Sequence, residues 1–141
     1  MANLKLKLSI VSQEKELVNT EIDSLTAPTV TGEITILPNH IPLLTELQTG
    51  ELIYRHQHEN HSVVISKGFL NLQPDNQIIV MVDSATHERD ISLAKAEAAV
   101  KAAHETITAT LNQRELILAE ASLRQALWEV KVAQKSKKVK I

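Results

Sequence analysis

The spacing of the apolar residues changes once along this chain of 141 residues, near Asp90. Before that point apolar and polar residues alternate, as in the segment 4–10 (LKLKLSI). A period of two predicts strands with one buried face. After that point apolar residues recur at intervals of three and four, which predicts helices packed along one side. The sequence therefore predicts a β domain over residues 1–87 and a helical domain over residues 88–141.

The β half contains several strand-like runs separated by turn residues. The run 51–58 is predicted to end in a tight turn at Glu59-Asn60. Residues 74–76 (PDN) predict a second turn, because proline presets φ and Asp and Asn tolerate turn geometry. The continuous apolar run 78–82 is typical of a strand buried on both faces. Many short strands at this spacing predict a flattened antiparallel β-sandwich or barrel.

The helical half carries two alanine-rich stripes, typical of two helices that pack as an antiparallel hairpin. Asp90 or Ser92 is predicted to cap the first helix. The junction at 106–112 holds three threonines and an asparagine, yet no Gly or Pro follows residue 91. We therefore hypothesise that the hairpin opens into one long helix. The two stripes are Leu93, Ala96, Val100, Ala103 and Ile107, and then Leu116, Ala119, Leu123, Ala126, Val130 and Ala133.

Composition excludes several classes of function. The chain has no cysteine, so disulfides, thiolate catalysis and cysteine-based zinc sites are excluded. Its three glycines are far apart and form no phosphate-binding loop. Aromatic residues are 2% of the chain and the net charge is −2, which argues against nucleic-acid binding. No apolar run is long enough to span a membrane, no signal peptide is evident and no catalytic residue is predicted. An intracellular soluble protein that is not itself an enzyme is expected.

The charge is unevenly distributed along the chain. Residues 112–141 carry seven Lys/Arg and three Glu, whereas residues 1–111 carry eight Lys/Arg and fourteen Asp/Glu. A basic C-terminal segment is either a solvated end or the binding site of an acidic partner, and both interpretations stay open. The basic tail consists of Lys131, Lys135, Lys137, Lys138 and Lys140.

Three histidines, His56, His58 and His61, lie at the predicted turn between two strands. If His56 and His58 shared a strand face, His61 could return beside them and complete a zinc or nickel site. No carboxylate stands at a spacing that would support such a site, so we predict no metal. A solvated hairpin tip with incidental histidines explains the same residues.

The segment 31–45 (TGEITILPNHIPLLT) differs from the other loops, because prolines stand on both sides of His40. Asn39 is a residue that readily adopts positive φ. One interpretation is a rigid loop that directs His40 and two leucines outward as a protein contact. The other is a structural β-arch with His40 hydrogen-bonded inside. The residues alone leave both open.

The segment 32–45 closely resembles the motif G-E-L-G-I-L-P-G/N-H-A-P-L-L-T of the epsilon subunits of F-type ATP synthases. Thr35 and Asn39 stand where glycine is common in that motif. The order of the whole chain also agrees, with a β domain, a strand pair at Gly68, VDSA at 82–85 and an alanine-rich hairpin. The resemblance implies a ten-stranded β-sandwich with a helical hairpin, in a non-catalytic subunit of the central stalk.

The resemblance also implies partners and contact residues. The sandwich would bind the rotating gamma subunit and sit on the ring of c subunits, with Glu33 near the polar loops of that ring. The stalk contacts would include His40, Pro42 and Leu43. The chain would meet the membrane only through this complex, at the cytoplasmic face of a bacterial inner membrane or the stromal side of a thylakoid.

A second implication of the resemblance is that the hairpin is a switch. When it is extended along gamma, the hairpin would inhibit ATP hydrolysis, and basic residues of its second helix would then meet acidic residues on the catalytic beta subunits of the alpha/beta head. The matching residues here are Arg114, Arg124, Lys131 and Lys135.

Some members of the family bind ATP at the folded hairpin through the motif I-D-x-x-R-A. The matching residues here begin at Ile91, with Ser92 and Lys95 in place of Asp and Arg. Because lysine cannot reproduce the planar fork of a guanidinium group, we expect weak or absent ATP binding and no cofactor. Two other functions stay open, which are a generic β-sandwich adaptor for an acidic helical partner and a metal protein built on the histidine turn.

Overall fold

A computed structural model describes residues 4–139 of the chain and the side chains of residues 4–135. One compact unit ends at His87 and a second begins at Glu88. The second unit contains a 3₁₀ turn at Glu88–Asp90 and two helices, α1 (Leu93–Ala109) and α2 (Gln113–Val139). The first unit contains ten strands: β1 (Leu6–Val11), β2 (Glu16–Ile22), β3 (Ser24–Thr29), β4 (Gly32–Ile36), β5 (Leu43–Leu47), β6 (Gly50–His56), β7 (Glu59–Ile65), β8 (Gly68–Gln73), β9 (Gln77–Val82) and β10 (Ala85–His87).

The ten strands form one sheet that curls round a single core. Their spatial order is β10-β7-β6-β3-β5-β8-β9-β1-β2, and β4 pairs with β3 beside this path. The outermost strands of this order, β10 and β2, contact each other, so the sheet nearly closes. This confirms the predicted β-sandwich or barrel followed by two helices. One pairing departs from the prediction, because β1 and β9 run parallel; these strands are remote in sequence, so no tight hairpin has to join them.

The core comes from the inward positions of nearly every strand. In β1 the alternation seen in the sequence buries Leu6, Leu8 and Ile10 completely. Burying side chains of this size contributes about 1.5–3 kcal/mol each to folding. The fully buried large side chains are Leu6, Leu8, Ile10, Ile22, Leu25, Ile36, Leu47, Leu52, Ile65, Leu70, Leu72 and Ile78.

Strand β9 corrects one prediction. Ile78, Val80 and Val82 are buried, but Met81 is 50% exposed, so the apolar run is not buried on both faces. The sheet curls round one core, and only the inward face of each strand packs against other strands. The turn predicted at 74–76 is confirmed, with positive φ at Asp75 (67°) and Asn76 (63°).

The turn between β6 and β7 corrects another prediction. It lies at Gln57-His58, with φ of 51° and 68°, and not at Glu59-Asn60. Two positive φ values are typical of the two-residue hairpin turns that match the twist of the strands. The register pairs His56 with Glu59, which leaves only residues 57 and 58 outside the ladder. The pairing of the strands therefore overrides the stronger turn preference of Asn60.

The helical unit follows the predicted stripes. Every residue of both stripes is buried or half-buried, with the alanines at 96, 103, 119 and 126 buried. Ser92 is the N-cap of α1, and its Oγ accepts a hydrogen bond from the Lys95 N–H (3.3 Å). Of the two caps predicted, Ser92 is therefore the correct one.

Hydrogen bonds from side chains separate α1 from α2 at the junction between them. Thr110 leaves the helical region with ψ of 141°. Asn112 Oδ1 accepts hydrogen bonds from the N–H groups of Arg114 (2.9 Å) and Glu115 (3.3 Å), and Thr110 Oγ1 donates to Glu115 Oε2 (2.9 Å). The two bonds accepted by Asn112 satisfy amide groups that the first turn of α2 leaves without helical partners. Opening into one long helix stays a prediction, and it would require these polar contacts to break.

Asp23, in the turn between β2 and β3, joins three parts of the sandwich. Lys5 Nζ donates a hydrogen bond to its carboxylate, and the backbone of His58 does so as well. The bond from Lys5 is the main cause that lowers the pKa of Asp23, against an opposing effect of burial. A carboxylate whose folded pKa is lowered stabilises the fold above its unfolded pKa, and that contribution disappears as the pH falls through the folded value.

We therefore expect Asp23→Asn to lower the midpoint of urea unfolding at pH 6, and the difference from the wild type to shrink below about pH 4. Urea titrations at several pH values measure this. Lys5→Met should remove most of the pH-dependent part, so that Asp23→Asn has a smaller pH-dependent effect in its background, which the His58 backbone bond alone supports. A difference between the wild type and Asp23→Asn that stays constant down to pH 3 would contradict the assignment.

Candidate protein-contact sites

The loop between β4 and β5, residues 37–42, carries His40 on the surface. Asn39 has φ of 69°, as its residue type predicts, and turns the chain there. The His40 N–H donates to Leu37 O (3.3 Å), and the His40 ring donates from Nδ1 to Ile41 O (2.6 Å). The ring is exposed. The structure therefore supports the outward loop, and the interpretation with His40 inside is wrong.

Three apolar side chains in and beside this loop face solvent. Ile41 is 76% exposed, Leu44 is 70% exposed and Leu37 is 57% exposed. Leu43, which the resemblance selected, is half-buried against the core. The alternation along β5 explains this, because Leu43 and Leu47 point inward and Leu44 points outward. Pro42 is exposed beside them.

Glu33 lies away from this loop. It is the second residue of β4, next to the turn that joins β3 and β4, and its side chain is exposed. The loop begins after Ile36, at the other end of the same strand. At ~3.3 Å per residue, Glu33 and Ile36 are about 10 Å apart along the strand. The structure therefore places the predicted contact residues at two separate positions on the sandwich.

The four basic residues that match the inhibitory role are all exposed on α2. Arg124, Lys131 and Lys135 fall within an arc of about 40° at 100° per residue, whereas Arg114 lies about 60° or more from them. Lys131 Nζ stands 4.5 Å from the centre of the Trp128 ring, a cation–π contact. For the basic tail, the side chains of Lys137 and Lys138, and all of Lys140, lie outside the described residues.

The residues that match the ATP motif stand at the start of α1. The Ser92 hydroxyl already accepts a hydrogen bond from the backbone of the helix, and Lys95 is exposed. Ser92 would have to bind the nucleotide through this hydroxyl, and capping of the helix already occupies one of the two acceptor sites of its oxygen. This local role agrees with the expectation of weak ATP binding, which stays a prediction.

The histidines of the β6–β7 hairpin have structural partners. His58 is a turn residue, so it does not share a strand face with His56 as the sequence suggested. His56 donates from Nδ1 to Glu21 O (2.7 Å), and His61 stacks on Tyr54 with ring centroids 5.1 Å apart. No group of three or more His, Asp or Glu side chains within residues 4–135 is arranged to hold a metal ion.

His87 joins the same cluster, which the sequence reasoning did not find. It is only 3% exposed, and a hydrogen bond of 3.0 Å connects its Nε2 to Tyr54 Oη. The rings of His61 and His87 have centroids 5.9 Å apart. Three strands contribute to this cluster, β6, β7 and β10, and β10 is too short to recognise in the sequence. We interpret it as a hydrogen-bonded part of the core and not as a ligand site.

Among the described residues, no helix is both long enough and apolar enough to cross a membrane.

Comparison with known proteins gives a consistent set of matches. The family model "ATP synthase, Delta/Epsilon chain, beta-sandwich domain" matches residues 5–88. An ATP synthase epsilon chain of Dehalococcoides mccartyi is 42% identical over 135 residues, covering 95% of this chain and 96% of that relative. An ATP synthase epsilon chain of Syntrophobacter fumaroxidans is 35% identical, covering 94% and 98%.

Solved structures share the fold. A chain of the Euglena gracilis mitochondrial ATP synthase, solved with OSCP, F1 and the c-ring, superposes with a TM-score of 0.74 at 19% identity, covering 97% of this chain and 83% of that chain. A chain of the Tetrahymena thermophila mitochondrial ATP synthase, from its central stalk and c-ring, gives a TM-score of 0.65 at 15% identity, covering 94% and 99%.

Proposed function

The chain belongs to the epsilon-chain family of the ATP synthases, and we propose that it is the non-catalytic subunit that couples the catalytic head to the c ring and restrains ATP hydrolysis. The observation that carries the proposal is the match over nearly the whole chain, at 42% identity to an ATP synthase epsilon chain. A match limited to the sandwich would leave the helical unit without a role.

The two exposed positions on the sandwich suit two different partners. The loop presents Ile41 and Leu44, whose burial in an interface would be favourable because both are largely exposed in the free chain. We assign this surface to the gamma subunit. Glu33, at the other end of β4, offers a carboxylate, which suits polar or basic loops of the c ring. Rotation requires the subunit to hold both partners at once, and separate positions allow that.

The helical unit supplies the restraint on hydrolysis. Arg124, Lys131 and Lys135 give α2 a basic side, which complements an acidic surface on the catalytic alpha and beta subunits. Since these charges are exposed, the contact would weaken as ionic strength rises. The chain would associate with the membrane only through the c ring, at the cytoplasmic face of a bacterial inner membrane or on the stromal side of a thylakoid.

We expect Ile41→Asp to weaken binding to the cognate gamma subunit about 30-fold, because a charge would replace an apolar side chain at the centre of the contact. Val30→Asp is the matched control. Val30 is a β-branched residue, 52% exposed, at the β3–β4 turn near Glu33 and away from the loop. Titration of immobilised gamma subunit with each full-length variant measures the affinity.

Equal affinities for Ile41→Asp and the wild type would mean that the loop is not part of the surface that binds gamma. If the wild-type chain itself fails to bind its own gamma subunit, the stalk assignment is wrong. A generic β-sandwich adaptor with another acidic partner would then be the better explanation.

A further inference from the structure

A reciprocal pair of hydrogen bonds between two asparagines joins the β4–β5 loop, residues 37–42, to the turn between β8 and β9. The two asparagines are 37 residues apart in the chain. The Asn39 backbone N–H donates to Asn76 Oδ1 (2.6 Å), and Asn76 Nδ2 donates to Asn39 Oδ1 (3.3 Å). Both residues have positive φ, 69° for Asn39 and 63° for Asn76. Each asparagine therefore turns its own loop and also contacts the other loop.

The Asn76 end of this pair is held by the sheet. The Lys7 N–H donates to Asn76 O (2.8 Å), where β1 begins its parallel pairing with β9. The antiparallel pairing of β8 with β9 closes on Gln73 and Gln77, directly beside the turn. Since the strands fix both sides of Asn76, its side chain is a rigid point to which the loop is attached.

The loop itself has few other anchors. Apart from the asparagine pair, the hydrogen bonds seen within 37–42 are local, from the His40 N–H to Leu37 O and from the His40 ring to Ile41 O. Local bonds shape a turn but do not orient it on the sandwich. Among the hydrogen bonds seen for residues 37–42, those of the asparagine pair are the ones that join the loop to another part of the sandwich.

We propose that Asn76 is a positioning residue for the gamma contact: it holds the 37–42 loop, and so Ile41, in the orientation that the gamma subunit binds. The proposal rests on the assignment of the loop to gamma. Asn76 itself needs no contact with the partner, because it acts by reducing the number of loop conformations that binding would otherwise have to order.

The substitution Asn76→Gly tests this without adding backbone strain, because glycine adopts positive φ at no steric cost. It removes both side-chain hydrogen bonds to Asn39. It keeps the backbone carbonyl at position 76, which accepts the hydrogen bond from the Lys7 N–H. Asp75→Gly is the matched control, since Asp75 has nearly the same φ (67°) in the same turn and makes no bond to Asn39. Comparing the two cancels the effect that an added glycine has on the unfolded chain.

Two measurements on the full-length chain are needed. The first is amide hydrogen exchange at Asn39, which we expect to be about tenfold faster in Asn76→Gly and unchanged in Asp75→Gly. The second is affinity for the cognate gamma subunit, which should fall about three- to tenfold in Asn76→Gly only. Urea titrations should show that both variants are fully folded under the binding conditions, which separates positioning from global unfolding.

Faster exchange in Asn76→Gly with unchanged affinity would overturn the proposal, because a freed loop would then bind as well as a held one. Unchanged exchange would overturn it too, because the pair would not be holding the loop. Ile41→Asp separates these results from failure of the gamma assignment. If the loop does not contact gamma, Ile41→Asp binds as tightly as the wild type, and if the chain is not a stalk subunit, neither the wild type nor any variant binds gamma. In both cases the exchange difference at Asn39 would remain.

Discussion

Removal of residues 91–141 is expected to abolish the inhibition of ATP hydrolysis while leaving binding to the gamma subunit within about twofold of the full-length value. The prediction separates the two units by function. It assigns attachment to the sandwich and restraint to the helices. The truncation should change ATP hydrolysis more than any single substitution, because it removes both helices and not one contact within them.

The shortened chain, ending at Asp90, should fold by itself. All the residues of the main hydrophobic core lie in the strands, between Leu6 and Val82, and the side chains packed against its edge extend only to Ala85. The strand ladder is also complete without the helices, since every pairing joins two strands of the first unit. A far-ultraviolet spectrum typical of strands and a cooperative urea transition would check this before any functional assay.

The assay adds the full-length or the shortened chain to a catalytic head that has been stripped of this subunit and still carries its gamma subunit. Only the full-length chain should slow hydrolysis, and both should bind. A full-length variant with Arg124, Lys131 and Lys135 all changed to glutamate keeps the helices but reverses their basic side, and it should also fail to inhibit. Equal inhibition by the full-length and shortened chains would place the restraint in the sandwich and refute the role given to the hairpin.

The sequence predicted the fold correctly in those elements that bury one face and expose the other, because their apolar residues then follow a single period. In β1 and along both helical stripes, each inward residue meets one partner surface, and the sequence pattern matches the observed burial. Met81 shows the limit of this reasoning. An apolar residue on an outward face has the same effect on the pattern as a buried one, so the curvature of the sheet has to be known before β9 can be interpreted.

The candidate sites were predictable only in part, because they depend on pairings between remote segments. Asn39 could be expected at positive φ from its residue type, but its partner Asn76 follows only from the antiparallel register of β5 with β8. Similarly, the exposure of Leu44 in place of Leu43 depends on the register of β5 with β8. The capping role of Ser92 was one of two local alternatives, and only the observed hydrogen bond distinguishes them.

Gly68 is the position in the sandwich where we expect a single methyl group to be most harmful. It begins β8, where it pairs with Leu47 of β5 and with Val82 of β9. A Cβ built there would lie 2.1 Å from Met81 O, 2.7 Å from Val82 Cα and 2.9 Å from Val82 Cγ1. Two of these three atoms belong to the backbone of the neighbouring strand and cannot rotate away.

We therefore expect Gly68→Ala to lower the free energy of unfolding by about 3 kcal/mol, because the β8–β9 ladder must separate locally to admit the methyl group. Gly32→Ala is the informative comparison. Its Cβ would meet no atom within 4 Å, but its φ of +128° is unfavourable for alanine, so strain alone should cost about 1–2 kcal/mol. Tyr54 is the one tyrosine of the chain and lies in the sandwich core, so in a Trp128→Phe background its fluorescence follows unfolding of the sandwich. Equal urea midpoints for the two alanine variants would mean that β9 yields to the added methyl group, and that the close approach of the strands at Gly68 contributes little to the stability of the sheet.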